Sequence, residues 1–385
     1  MPRVMFVTGS LAHGGAERHA ITVMNRLQER GHECHAVYVK SGGEQLSRIR
    51  LRNGATVRCL DAARYFDRRA LADFARHIVR VRPSVIVAAN PYALMYSSLA
   101  LRMSPLRVPV IVTFHSTELL GLKEWLQMMA YRPFFWLSDC LVFVCERQKR
   151  HWLRRGVVAR RNEVIHNGVD TAQFCDTGNA AQRSATRKAL GLSDSDYVIG
   201  LSAVLRPEKN HKQLVEAVAI LRRRGIPARA LMIGDGPMRA AIEAHAAGFE
   251  VASDVLITGF KQDVRPFIAA CDAMTLCSTT EAFSLAAIEA MAMAKPVVHS
   301  DVGGAAEMIF PGQNGFLFPV GDTQALVDRL AVLADPAVAA GMGEAARNIV
   351  DALFSEKTMV DHYEKMIAQT LIRPRMMDAV VDRGG

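Results

Sequence analysis

Apolar and polar positions along this chain switch repeatedly between two periods. Short apolar runs occur at residues 4–8, 35–39, 56–60, 85–88, 110–113, 141–144 and 163–165. They recur at 198–203, 229–233, 255–258, 273–276, 296–299 and 315–318. Runs this short and this apolar predict strands covered on both faces. Stretches with helical spacing, such as 16–30 and 71–81, separate them. Strand and helix in strict alternation predict parallel sheets flanked by helices. Because the scheme occurs twice, the chain reads as an α/β protein of two Rossmann-like, doubly wound domains. Ligands of such sheets bind beyond the carboxyl ends of the strands, so the expected site is a cleft between the domains. Turn residues at 166–170 and a polar stretch at 176–184 put the boundary there, giving domains 1–168 and 169–354. The last two helical patterns, 336–352 and 355–370, have no strand after them. A final helix over 355–372 is expected to cross back to the first domain, and 373–385 forms a tail of little pattern.

The segment TEAFSLAAIEAM, residues 280–291, joins one strand to one helix. Glu281 falls in the loop and Glu289 inside the helix, eight residues on. Ser284 is a natural N-cap. The amides of Ala282, Phe283, Ser284, Leu285 and Ala286 then point beyond the strand's end, where a helix N-terminus favours an anion. Two acids flanking such an anion site can take hydroxyls on either side of a phosphate. The same residues also suit two solvated acids beside an ordinary helix.

Other strand ends carry chemistry of the same kind. GSLAHGGAER, residues 9–18, opens a helix, and Gly14 and Gly15 let backbone approach a ligand closely. It matches neither GxGxxG nor a Walker A sequence, and a tight turn alone also explains it. LRPEK, residues 205–209, places Arg206 and Lys209 where a phosphate could be clamped, or where a basic loop meets solvent. IGDGP, residues 233–237, is a further strand-end turn containing Gly234. His115, in TFHS, ends a strand and can hydrogen-bond a sugar, although a lone histidine is more often structural.

Charge divides the chain unevenly. Residues 1–175 hold 26 Lys and Arg against 13 Asp and Glu, whereas the whole chain carries +9. An anionic partner for the first half follows. Residues 139–161 concentrate Arg147, Lys149, Arg150, Arg154 and Arg155, with Trp136 and Trp152 nearby. With Lys123, Trp125, Met128 and Met129 they form a candidate face for an anionic membrane surface or acceptor, the alternative being a charged helix face in water. No nucleic-acid motif is present, so nucleic acid is not expected as the partner. No run of 18 apolar residues exists, and residues 3–8 read as a strand with no signal peptide ahead of it. Seven cysteines occur without a CxxC pair or zinc spacing. Cys34, Cys140, Cys271 and Cys277 lie in apolar runs and read as core thiols, which points to a reducing, cytoplasmic setting with at most peripheral membrane contact.

Taken in order, GGAE (14–17), TFHS (113–116), IHNGVD (165–170), LRPEKN (205–210), IGDGP (233–237), TGF (258–260), the Glu281/Glu289 pair and GGxxE (303–307) resemble the retaining GT-B glycosyltransferases of family 4. The resemblance covers nearly the whole chain. It implies transfer of a sugar from a nucleotide-diphosphate sugar, UDP-linked by preference and GDP-mannose as the alternative, to a saccharide or lipid-linked acceptor in polysaccharide, lipopolysaccharide or glycolipid synthesis. It implies no cofactor and no metal. Gly14 and Gly15 would face the diphosphate and acceptor, and His115 the transferred sugar. Arg206 and Lys209 would neutralise the diphosphate, Glu281 would hold the sugar's hydroxyls, and Glu289 the ribose. Phe260 would border the base. Ala282, Phe283, Ser284 and Leu285 would line the donor through their amides.

Two departures from the family pattern stand out. Many relatives carry the arginine where this chain has Val204, and a glycine where it has Ala282. The second is harmless at negative φ and strained at positive φ. The residues leave two other functions open, a GT-B sugar-nucleotide epimerase and an inactive nucleotide-binding scaffold. The epimerase needs extra acid/base carboxylates that cannot be assigned here. Glu281, Glu289 and Lys209 weigh against the scaffold.

Overall fold

The computed structural model describes residues 1–12, 15–115, 121–175 and 180–372. The chain forms two compact units, Met1–His166 joined by the segment from Met359 onward, and Asn167–Thr358.

The first unit is built on β1 (Arg3–Thr8), β2 (Glu33–Tyr38), β3 (Val57–Cys59), β4 (Val85–Ala89), β5 (Val110–Phe114), β6 (Cys140–Phe143) and β7 (Arg161–Val164). These make one parallel sheet in the order β3-β2-β1-β4-β5-β6-β7. Residues of β4 and β5 are buried along their whole length, as expected of a sheet with helices on both faces. The helix Arg68–Val81 starts where Asp67 accepts from the amides of Arg69 and Ala70, and stops where Arg82 turns left-handed at φ 50°. Leu71, Phe74 and Ile78, spaced three and four apart, fill the core beneath it.

The second unit repeats the plan with β8 (Tyr197–Ser202), β9 (Ala228–Ile233), β10 (Val255–Ile257), β11 (Ala273–Leu276), β12 (Val297–Ser300) and β13 (Gly315–Phe318), ordered β10-β9-β8-β11-β12-β13. In both sheets the winding direction reverses beside the first strand, between β1 and β4 and between β8 and β11. Crevices for ligands open at such points.

The helix Glu356–Ile372 contributes Met359, Val360, Tyr363, Met366 and Ile367 to the same core as β1, β2 and the helix Gly15–Glu29. Each apolar run picked out in the sequence is a strand to within two residues, because burial on both faces leaves little freedom in where a strand runs. Cys34, Cys140, Cys271 and Cys277 are buried, and burial pushes each thiol up to about 12, so they pack as apolar groups.

Candidate active site

In the second unit the loops after β8 and β11 meet at the switch point. The amide of Thr279 donates to the carbonyl of Glu208 at 2.8 Å, tying one loop to the other. The 3-10 turn Pro207–Lys209 follows β8 and ends at Asn210 in the left-handed region. From this turn Lys209 Nζ donates to Oε2 of Glu281, and both side chains are about one-fifth exposed. The two groups singled out in separate segments of sequence are therefore one ion pair. Arg206 is exposed, and its side chain has no hydrogen-bond or ion-pair partner among the described residues.

The backbone around Glu281 is clamped from the side. Gly304 N–H donates to the Ala282 carbonyl at 2.8 Å. Gly303 sits at φ +51°, and a Cβ there would lie 2.0 Å from the Glu281 carbonyl oxygen. Only glycine satisfies both conditions. Ala282 itself is absent from the positive-φ residues, so alanine is unstrained at that position. Ser284 caps the helix Leu285–Ala292, its Oγ accepting from Ala287 N–H at 3.3 Å. Leu285 opens that helix, and Glu289 lies within it, only 8% exposed.

The Phe283 ring is buried against Phe354, with centroids 5.5 Å apart, which leaves its main chain as the part that can face a ligand. Its carbonyl accepts from Asn167 Nδ2. Gly234 has a packing reason of its own. At φ +149° a Cβ would stand 2.1 Å from the Ala203 carbonyl oxygen, and the residue bridges to Gly259. Phe260, next along, is 80% exposed. His299, at the end of β12, escaped the sequence reading. It is fully buried, with Nδ1 2.7 Å from the Ser300 carbonyl and no partner on Nε2 among the described residues. Burial lowers its pKa, and the charges of Glu281 and Lys209 act on it in opposite senses.

The first unit assembles a second group at its own switch point. Gly14 lies outside the described residues, as do the residues after His115 to 120. Gly15 starts the helix Gly15–Glu29 with open space where a Cβ would be. Asn90, just after β4 and at φ 72°, accepts from the His115 amide at 3.2 Å. The His115 ring packs edge-on to His19 at 4.8 Å, and His19 Nε2 lies 2.9 Å from the Tyr363 hydroxyl. Burial brings His115 down to about 4, so the ring is neutral at pH 7, and Nε2 has no partner among the described residues. Beyond the ends of β2 and β4, Tyr65 and Tyr92 lean together at 4.9 Å, with Lys40 over both rings. Gln127 donates to the Tyr65 hydroxyl at 3.0 Å. No spacing in the sequence signals this aromatic group, since its members come from separate segments: Lys40 and Tyr65 from loops, and Tyr92 from the start of the helix Asn90–Arg102.

The residues expected on a basic face divide between surface and core. Trp125 is 48% exposed on the helix Leu122–Leu137, with Leu126, Trp136 and Leu137 exposed on the same helix. Arg147, Arg150, Arg154 and Arg155 are exposed, and Lys149 pairs with Glu146 at 3.4 Å. Trp152 and Met128, expected on this face, are instead in the core, Trp152 against Phe114 at 5.1 Å. They occupy the inward side of their helices, which the charge count alone could not reveal.

Residues 13–173 match the model of Glycosyltransferase Family 4, and residues 182–349 that of Glycosyl transferases group 1. EpsD of Bacillus subtilis (strain 168) is 30% identical over 57% of this chain, and the match spans 58% of that relative's length. LpsE of Rhizobium meliloti (strain 1021), a lipopolysaccharide core biosynthesis glycosyltransferase, is 24% identical over 92% of this chain and 96% of its own. Anabaena Alr3699/HepE, crystallised in complex with UDP, superposes with a TM-score of 0.83 at 21% identity, over 95% of this chain and all of that one. The chain belongs to glycosyltransferase family 4, with two Rossmann-like domains of the GT-B type.

Proposed function

We propose that this protein is a retaining, metal-independent glycosyltransferase that moves a hexosyl group from a nucleotide-diphosphate sugar, UDP-linked by preference, to a saccharide or lipid-linked acceptor. The observation that carries this reading is the Lys209–Glu281 pair beside the Ser284-capped helix, at the switch point of the second sheet. HepE, complexed with UDP-glucose in a further crystal structure, supports the UDP preference. LpsE supports an acceptor in lipopolysaccharide or a related surface polymer.

Breaking the anomeric C–O bond sends its electron pair to the diphosphate oxygen and leaves positive charge on the sugar. In this reading Lys209, Arg206 and the helix amides stabilise that leaving group, each well-placed donor lowering the barrier by about 3–4 kcal/mol. The Lys209–Glu281 pairing adds a consequence. The arriving diphosphate draws Lys209 away, and Glu281 turns to the hydroxyls of the transferred sugar. Glu289 takes the ribose, Phe260 the base, and the main chain at Gly234 and from Ala282 to Leu285 lines the donor. The acceptor hydroxyl attacks on the face the diphosphate leaves, passing its proton to the departing phosphate oxygen. Retention then requires no covalent sugar–enzyme intermediate.

For the first unit this reading assigns Gly14, which lies outside the described residues, and Gly15 to the diphosphate, and His115, neutral at pH 7, to the sugar. Tyr65 and Tyr92 supply a stacking platform for a saccharide acceptor. In this reading Trp125 with Arg147, Lys149, Arg150, Arg154 and Arg155 forms a face for an anionic lipid surface, and the enzyme works as a peripheral protein on the cytoplasmic side of a membrane. Among the described residues no helix is long and apolar enough to cross one. The test is a panel of UDP-, GDP- and ADP-sugars, scored for thermal stabilisation and for release of nucleoside diphosphate with and without EDTA. One selective, EDTA-insensitive donor supports the reading. A protein that neither binds nor cleaves any of them refutes it.

A further inference from the structure

The aromatic group beyond the ends of β2 and β4 is built on a loop that its neighbours hold in place. The Tyr65 carbonyl accepts from the hydroxyls of Tyr92 at 3.1 Å and Tyr96 at 3.3 Å. The Asp67 amide donates to the Tyr96 hydroxyl at 3.0 Å. The Asp67 carboxylate is spent on the amides of Ala70, Ala63 and Arg69, which hold its carboxyl below the usual carboxylate range. With the backbone so fixed, Tyr65 and Phe66 remain 45% and 52% exposed. Aromatic side chains presented in this way lose little freedom when a ligand settles on them.

Lys40 gives this surface its sign. Its amide donates to the Gly9 carbonyl at 3.0 Å, which fixes the chain just after β2. Its Nζ stands 5.5 Å from the Tyr92 ring centre and 6.0 Å from that of Tyr65, within cation–π range. The residue is exposed, and among the described residues its ammonium has no carboxylate or hydrogen-bond partner, so its three donors are open. Arg64 and Arg68, which flank Tyr65 and Phe66 in the chain, are exposed and also lack an ion pair among the described residues. A lysine is ordinarily free to sweep through water. Here the rings hold its charge beside an apolar surface, where an opposite charge feels it more strongly. Tyr92 also borders the loop after β1, since a Cβ on Gly9 would lie 3.4 Å from its Cδ1. The platform therefore adjoins the loop that runs toward Gly15.

We infer that the acceptor is an acidic sugar, its ring lying on the exposed surface of Tyr65 and its anionic group pairing with Lys40. This rests on the transferase reading and adds to it the charge of the acceptor. The apolar face of a sugar ring suits an aromatic surface, as a few placed polar groups suit its hydroxyls. An ammonium is a point charge without a fork, so it takes a carboxylate or a phosphate ester alike. The basic balance of the first half of the chain draws such a molecule in.

The test is ligand-observed NMR on the full chain with methyl glucuronide, glucose 6-phosphate and the neutral methyl glucoside, at equal ionic strength. The acidic sugars bind about fivefold tighter or more than the neutral one. Lys40→Ala removes that difference, and Lys40→Arg, which keeps the charge, retains it. Tyr65→Ala weakens all three, because the ring is lost while the carbonyl still receives both tyrosine hydroxyls. A preference for the glucuronide alone assigns a uronic acid, and one for glucose 6-phosphate alone assigns a phosphate ester; either supports the inference. Equal binding of neutral and acidic sugars, no binding of any, or a preference that survives Lys40→Ala overturns it. Donor cleavage is measured on the same preparation. Cleavage without a charge preference overturns this inference alone, whereas failure to cleave any donor refutes the transferase reading and the assignment of the bound sugar as acceptor with it.

Discussion

Replacing Gly303 by alanine tests how the second unit holds Glu281. Two effects add at this residue. Alanine at φ +51° bears the left-handed strain of an L-residue, about 1–2 kcal/mol. Its Cβ also meets the Glu281 carbonyl oxygen at 2.0 Å and that of Ala282 at 2.5 Å, both backbone atoms. Ordinary contact begins at about 3.4 Å, so the loop must retreat by over an ångström. A displacement of about 1 Å in a positioning loop lowers turnover by up to about a hundredfold. Gly321→Ala is the control, since its φ of +79° is also left-handed but nothing lies within 4 Å. It bears the backbone strain alone. Both variants should melt lower, by about 2–4 °C per kcal/mol for a unit of this size. Only Gly303→Ala should lose donor cleavage, measured as kcat/KM for the nucleotide sugar that the panel selects. If Gly303→Ala and Gly321→Ala cleave the donor equally well, Gly303 does not position Glu281, and the argument fails.

Lys209→Ala and Glu281→Gln should each lower turnover at least about a hundredfold, and the double variant should lose much less than their product because the two are paired; near-normal rates in either single variant would remove that residue from the mechanism. Arg187 is buried and donates to Asp272 and to the carbonyls of Ala270 and Ser193, so Arg187→Ala should destabilise the second unit by about 3–5 kcal/mol in a urea titration, and a change within 1 kcal/mol would contradict its role. His77, His115 and His211 all have folded pKa values of about 4, below the roughly 6.5 of an unfolded chain. The unfolded state therefore binds more protons between those values. Stability is full above pH 6.5 and falls as pH drops toward 4, each group adding up to about 1.4 kcal/mol per pH unit to the slope; a melting temperature flat over pH 4–6.5 would refute the neutral burial of these rings. Trp125→Ala combined with Arg150→Glu and Arg154→Glu should abolish cosedimentation with vesicles rich in anionic lipid while leaving donor cleavage intact, and unchanged cosedimentation would dismiss this face as the membrane contact.

The alternation of apolar runs and helical spacing was enough to determine two doubly wound sheets, because a strand covered on both faces must be apolar almost throughout. Ser284 as a cap, the core thiols and the chemistry at strand ends were legible for the same reason: each depends on a few neighbouring residues. Tertiary structure decided what depends on distant ones. It joined Lys209 to Glu281 across 72 positions, set Gly303 against the Glu281 carbonyl, and turned Trp152 and the Phe283 ring inward. It also brought Tyr363 to His19 and gathered Tyr65, Tyr92 and Lys40 from three separate segments. Local periodicity records which side of an element is apolar, whereas the partner that each side meets is set by the order in which strands lie in the sheet.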